Sequence, residues 1–458
     1  MTKSWLEFSP YNVARLILAA GLLIMLGTNL PGHLSVDSVI QLYEGRTSVR
    51  QTWAPAIVSW LLGAFDDVLV GTGLFVTSSS AFLTFSLMSL LGLRGKATWL
   101  TPVAALAIVV TPQFMLYQGI VWKDVLFANL AVAGFIALAH TARGWDQGRT
   151  RLPLLAALAC FVLATLVRQN GVIVTVVAAL ALGWMARGRG LLLALRWGLS
   201  GLVLTLAIAA MVGMAVQPRE VSPKLRPDKA PRILQHYDVI GAAAHDRSIR
   251  LDVIGAANPA ARDLLLSKGV AAYSPARVET LDVDETVRKS LWRLPDAVMA
   301  AQWRDIVQRH TAAYVAHRFD VFWQVLATPE LAKCLPVHVG VAGPPQMLEA
   351  LQLAGRQDPQ DAAVARYAER FFPTPVYSHL LYAAMGLALA GFFLLRRDPA
   401  DGPMAGLLIG ALGFAASFFV ISVACDYRYL YVLDLAAMTA GLYFTLDPSL
   451  GRRRRRGG

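Results

Sequence analysis

The residues of this chain best suited to chemistry fall in five short stretches. Asp37, Gln41 and Glu44 recur at spacings of four and three, which puts them on one face of a helix, with Val36, Val39, Ile40 and Tyr43 towards the other side. Lys123 and Asp124 follow Trp122, and Arg168, Gln169 and Asn170 precede Gly171. His317 and Arg318 come shortly after Tyr314, and Tyr427 and Arg428 lie within Cys425-Asp426-Tyr427-Arg428-Tyr429. Carboxylates accept protons or bind hard cations, while lysine and arginine hold anionic oxygens, arginine with a bidentate fork. His310, Tyr314 and His317 share a helical face, but histidines seven apart on one helix make a poor metal pair, so packing or phosphate contact is the better reading. With no dinucleotide fingerprint and no phosphate loop in the sequence, use of a soluble nucleotide has no motif behind it.

The elements that must position these residues are membrane helices. Of 458 residues, 56% are hydrophobic and 16% charged, and the mean hydropathy is +0.51. Apolar segments of about 20 residues are what a bilayer demands, so the fold class is an all-α polytopic membrane protein. The net charge of +12 does not point to nucleic acid, because the arginines and lysines sit in short clusters between apolar segments. These are Arg94 and Lys96; Arg143, Arg149 and Arg151; Arg187 and Arg189; Arg396 and Arg397; and Arg452 to Arg456. Such clusters mark the cytoplasmic side, and the last could also attract anionic membrane lipids. Ten spans then alternate, at about 11–30, 73–92, 97–115, 125–141, 152–167, 172–186, 197–216, 377–395, 404–424 and 430–446, with both termini cytoplasmic. The first is too long for a signal-peptide core and reads as a retained anchor.

Four parts follow: an N-terminal bundle (1–216) with a first outer loop (31–72), a helical periplasmic loop or cap (217–375), C-terminal spans (376–446) and a basic cytoplasmic tail (447–458). In the first outer loop Pro55 limits a helix, Asp66 and Asp67 would be costly in a span, and Trp53 and Trp60 suit an interfacial helix. In the large loop a helix carries Ile233, Tyr237 and Ile240, and a longer one over 296–327 pairs Asp305 with Arg309. Tyr427, Tyr429 and Tyr431 read most simply as an aromatic belt. Cys160, Cys334 and Cys425 show no paired or metal-ligand spacing; they leave redox state open and argue against a thiolate zinc site. With this topology every polar stretch named above emerges on the same, outer, side.

That layout resembles the C-type glycosyltransferase superfamily, membrane enzymes that use polyprenyl-phosphate-linked sugars, and in particular the bacterial protein-mannosyltransferase and lipid A glycosyltransferase branches. The likeness rests on Asp37 in the first outer loop, Trp122-Lys123-Asp124, Arg168-Gln169-Asn170-Gly171, Tyr314-Val-Ala-His317-Arg318 and Asp426-Tyr427-Arg428-Tyr429. The resemblance implies an inner-membrane enzyme of the periplasmic face that moves a sugar from undecaprenyl phosphate to a glycan, lipid or protein, with inversion. Asp37 would be the base. Lys123, Arg168 and Arg428 would clamp the departing phosphate, with Gln41, Asn170, His317, Arg318 and Tyr427 as further substrate contacts. Asp124 is either a second catalytic carboxylate or a salt-bridge partner, and a divalent cation on Asp37 and Asp124 stays an open alternative. The sequence departs from the family at Trp53-Ala54-Pro55-Ala56, where many relatives carry His-Pro-Pro. Rival readings are a transporter or flippase of lipid-linked glycan, for which no repeat is evident, and a non-catalytic lipid-binding relative. Glu44 is expected to face solvent.

Overall fold

The start of the first apolar helix is set locally. Before it, Ser9 accepts a hydrogen bond from the Asn12 amide (3.3 Å) and Pro10 opens the Pro10–Asn29 helix, where its missing N–H does no harm. The computed structural model describes residues 9–94, 97–223, 225, 229–396 and 398–446; Lys96, Arg397 and the basic tail with its arginine run lie outside the described residues. Of the described residues 77% are helical and almost none are in strands. Among the described residues seven helices are long and apolar enough to cross a membrane: Pro10–Asn29, Gly73–Leu91, Lys123–Gln147, Gln169–Arg189, Leu191–Ala215, His379–Arg396 and Asp401–Ile421. An eighth arises if Leu100–Val109 and Pro112–Gly119, bent by 58° at their junction, count as one span. Two segments read as spans form shorter helices, Arg151–Val167 and Tyr431–Thr445, so the tenfold count exceeds the number that meet span length.

The chain divides into two compact units. The first contains residues 1–222, 337–414 and 431–458. Its central element is Lys123–Gly144, 89% of whose apolar window is buried, whereas Leu191–Ala215 is buried over only 11% and forms the periphery. The close neighbours of the central helix include Gly73–Leu91, Arg151–Val167 and Tyr431–Thr445. The first loop forms two helices, Val36–Thr47 and Ala56–Val68. They approach so closely at Gly45 and Gly63 that a Cβ on Gly45 would sit 2.2 Å from the Ser59 carbonyl oxygen. Arg46 binds Asp66 with both arms of its guanidinium (2.7 and 2.6 Å). Burial alone would raise the Asp66 carboxyl, but the Arg46 pairing and the Gly71 amide hold it below the ordinary carboxylate value. The pairing compensates the burial of Asp66, while Asp67 stays exposed.

The second unit contains 223–336 and 415–430 and has its own hydrophobic core, including Tyr237, Ile240, Leu265, Leu291, Met299 and Ile306. The first helix of the sequence reading appears as Lys229–His245. The longer one is two helices, Asp296–Arg309 and Thr311–Ala327, because His310 (φ −119°, ψ 39°) leaves the helical region; Asp305 and Arg309 pair at 3.3 Å. Cys334 and Cys425 form a disulfide within this unit, a bond that their separation of 91 residues did not disclose. The large loop is also partitioned differently from the sequence reading. Residues 337–375 belong to the first unit, where the Leu34 amide donates to the Gly340 carbonyl (2.8 Å) and the Ala342 amide donates to the Leu34 carbonyl (2.9 Å).

Candidate functional site

The site in the first unit is built on the chain between Gly32 and Thr47. His33 donates its amide to the Gly119 carbonyl (2.9 Å) and accepts from the Val121 amide (3.0 Å). Its ring is buried between Asn29 (2.9 Å) and the Gly340 amide (3.0 Å), and burial lowers its pKa to about 4 despite Asp361 nearby. Because the Gly340 amide donates to Nδ1, the neutral ring carries its proton on Nε2 and donates it to Asn29. Immediately after this anchor, Ser35 and Ser38 form a capping box at the start of Val36–Thr47. The same two serines reach across the fold: Ser38 donates to the Val121 carbonyl (2.6 Å), and Trp122 donates to Ser35 (3.0 Å). The turn that bears Asp37 is therefore fastened to the residues directly before Lys123 and Asp124. Asp37 is exposed in the first helical turn, and Lys123 is half-buried at the start of the next long helix.

Asp124 is only 3% exposed and forms an ion pair with Arg168, which ends Arg151–Val167 in an extended conformation. The Arg168 guanidinium lies over Phe414 (5.4 Å), which in turn stacks on Phe127 (4.7 Å). Arg168 is thus held by a carboxylate and by a ring, with Asn170 half-buried in the short turn that follows. Of the sequence-derived site residues, Asp37, Gln41, Lys123, Asp124, Arg168 and Asn170 all belong to this unit. Among the described residues no group of three or more histidine, cysteine or acidic side chains is arranged to hold a metal ion.

Glu44 corrects the sequence reading. It does not face solvent but is 4% exposed, accepting from the Gln51 and Thr52 amides (both 2.7 Å), the Thr52 hydroxyl (3.0 Å) and Ser59 (2.6 Å). Gln41 is buried beside it on the same helix. The Glu44 end of this polar face is thus a packing face that ties down residues 51 and 52, while Asp37 at its other end is exposed. The loop of residues 48–55 shapes a pocket of about 210 Å³ lined by Arg50, Trp53, Ile57, Leu166, Gln169 and Gln217. Arg50 was not foreseen as a site residue; its guanidinium is braced by the Thr52 carbonyl (2.9 Å) and by Gln217 (3.5 Å). Ala54 lies buried in the same loop.

A buried polar network was also missed. Gln118 bridges Asn129 and Tyr431, the Tyr431 hydroxyl donates to the Gln113 carbonyl, and His379 meets Asp434 at 2.7 Å. Asn129 lies six residues into its helix, about 9 Å from the end that bears Lys123. Tyr427 and Tyr431 are fully buried, so they are not an aromatic belt, which would face the interface.

The remaining sequence candidates lie in the second unit and have internal partners there. His317 contacts Asp238 (3.0 Å) and the Tyr273 hydroxyl (2.7 Å), and burial lowers its pKa although Asp238 opposes this. Arg318 is 1% exposed, ion-paired with Asp238 and donating to the Ser422 carbonyl (2.6 Å). Trp303 supplies a third contact to Asp238 (2.7 Å). Arg428 is paired with Asp426 (2.8 Å). This geometry gives His317 and Arg318 the work of an internal ionic core rather than of an open binding surface. No protein-family model, no curated protein and no solved structure matches the chain.

Proposed function

We propose that the first unit is a glycosyltransferase that takes a sugar from a polyprenyl-phosphate donor at the outer membrane face. The observation that carries this reading is the direct hydrogen bonding of Ser35 and Ser38 to residues 121 and 122. It holds an exposed acid, Asp37, on the same scaffold as Lys123 and the Asp124–Arg168 pair. In the reaction an acceptor hydroxyl oxygen attacks the anomeric carbon, the bond from that carbon to the phosphate oxygen breaks, and the lipid phosphate leaves with the electron pair. Asp37 takes the hydroxyl proton, a role its exposure permits. Asp124 is buried against Arg168 and is better suited to orient that guanidinium than to accept a proton. Lys123 and Arg168 oppose the charge that grows on the departing phosphate. A single displacement of this kind inverts the anomeric centre. The pocket beside Gln169 combines Arg50 with apolar walls, as a phosphate carried on a hydrocarbon chain requires.

The disulfide in the second unit supports the proposed topology, since such bonds persist in oxidising compartments such as the periplasm. The interior Gln118–Asn129–Tyr431 network favours the second reading, a flippase, but its closeness to one helix end is unlike a midplane transport site. The test uses the purified full-length chain with a panel of undecaprenyl-phosphate sugars and polar acceptors. Release of lipid phosphate and a new glycosidic linkage are expected, with Asp37→Asn reducing the rate by about 10²-fold or more. Undiminished turnover in Asp37→Asn refutes the base assignment. Translocation of a lipid-linked glycan with its linkage intact establishes the flippase instead.

A further inference from the structure

At the end of the bundle remote from Asp37 lies a second built cavity. Lys123–Gly144 spans about 33 Å, so its last residues stand a membrane's thickness from Lys123. There a pocket of about 440 Å³ is lined by Trp145, Asp146, Trp184, Arg187, Arg189 and Asp398, with Ala142 and Met185 at its inner wall. Arg187 stacks on Trp184 (3.1 Å) and Arg189 lies over Trp145 (5.9 Å) while meeting Asp146 at 3.3 Å. An apolar groove of about 190 Å³ runs along the same helices, lined by Leu138, Phe161, Leu182, Trp197, Ser200 and Leu204. Leu138 and Ala142 are one turn apart on one helix, and Leu182 and Met185 are one turn apart on another. The ring contact of Trp145 with Trp197 (5.2 Å) marks the junction of the polar pocket with the apolar groove.

We infer that this pair of cavities is a binding site for a glycerophospholipid of the inner leaflet. Arg187 and Arg189 take its phosphate, and one acyl chain lies in the groove. The ligand must be amphipathic, because charge is gathered at the helix ends and the space one turn deeper is walled by hydrocarbon. Trp184 covers one face of the Arg187 guanidinium and Trp145 lies against that of Arg189, whose contact with Asp146 uses one amino group; phosphate is recognised by donors in the guanidinium plane. Tryptophans at the boundary suit headgroup depth, and basic pockets between membrane helices are suited to lipid headgroups. Nothing in this inference depends on the chemistry proposed for the opposite end.

The test is native mass spectrometry of the full-length protein in detergent, titrated with phosphatidylglycerol, with diacylglycerol of the same chains, or with inorganic phosphate. Retained phosphatidylglycerol is expected, with about tenfold weaker binding of diacylglycerol and of the variant Arg187→Ala/Arg189→Ala. Ser200→Phe, an exposed position that fills the groove, should weaken binding to a similar degree and provides a second variant if the arginine replacement fails to fold. Equal retention of diacylglycerol, or unchanged binding by both variants, overturns the site. Displacement of the lipid by equimolar inorganic phosphate, with Ser200→Phe without effect, shows a phosphate site rather than a lipid site and also overturns it.

Discussion

Replacement of Asp238 by asparagine should destabilise the second unit more than a surface change of the same size. The Asp238 side chain is fully buried and is met by His317, Arg318 and Trp303. Asparagine keeps the shape but removes the charge that neutralises Arg318, itself 1% exposed. Breaking a buried ion pair from one side costs about 3–5 kcal/mol, because the stranded charge has no access to water. For a unit of this size that corresponds to a fall of roughly 10–15 °C in its unfolding midpoint. The full-length protein in detergent reports this through the fluorescence of Trp303, whose indole N–H touches the replaced carboxylate. Removing both charges, in Asp238→Asn with Arg318→Met, should recover much of the loss, so the two single effects will not add. An unchanged midpoint in Asp238→Asn, or strict additivity of the two changes, refutes the ionic-core assignment. It would return Arg318 to the pool of residues able to bind an external anion.

Two further outcomes follow from the first unit. Gly45→Ala should separate the Val36–Thr47 and Ala56–Val68 helices, since its Cβ meets backbone atoms of Ser59 and Gly63 at 2.2 and 2.7 Å. A loss of about 1–3 kcal/mol in thermal stability, with a change in the fluorescence of Trp53 and Trp60, is the measurement. The buried His33 ring, held to a pKa of about 4 among Asp361, Arg356, His338 and Asp358, makes stability fall as pH drops from 6.5 towards 4. The sign follows from the unfolded chain taking up a proton there that the folded chain refuses. The contribution is intact above pH 6.5 and is lost by at most about 3 kcal/mol at the acid end. His33→Gln should flatten that part of the stability profile, and identical profiles for the two proteins would contradict the burial argument.

How much of this was legible depended on whether the information was local. Hydropathy located the helices because each span carries its own signal in about 20 residues, and the polar stretches at residues 37, 123–124 and 168–170 could be placed at their ends. The periodicity of Asp37, Gln41 and Glu44 identified the residues sharing a helix face but not which face would be covered. That depended on the chain beyond it, where the Gln51 and Thr52 amides and the Ser59 hydroxyl all needed an acceptor. The close approach of the two helices at Gly45 and Gly63 likewise exists only once the chain is folded. The Cys334–Cys425 bond and the Asp238–Arg318 pair join residues 91 and 80 positions apart, where spacing is silent and only the fold of the second unit brings them together.

The same distinction separates the two acids of the candidate site. Asp37 and Asp124 carry the same chemical group and stand near helix starts, so sequence alone allowed either to act on a proton. Burial against Arg168 ties Asp124 into a pair whose separation would strand a charge, which makes it a constant part of the scaffold. Asp37 is exposed, on a turn held by its neighbours Ser35 and Ser38, and so lies within reach of an acceptor arriving from water. A catalytic base needs that combination of fixed backbone and solvent-exposed carboxylate. Asp124→Asn should cost several times more stability than Asp37→Asn, because Asp124 is buried against a charge while Asp37 is exposed to water. Equal destabilisation by the two changes would remove the structural reason for assigning the proton to Asp37.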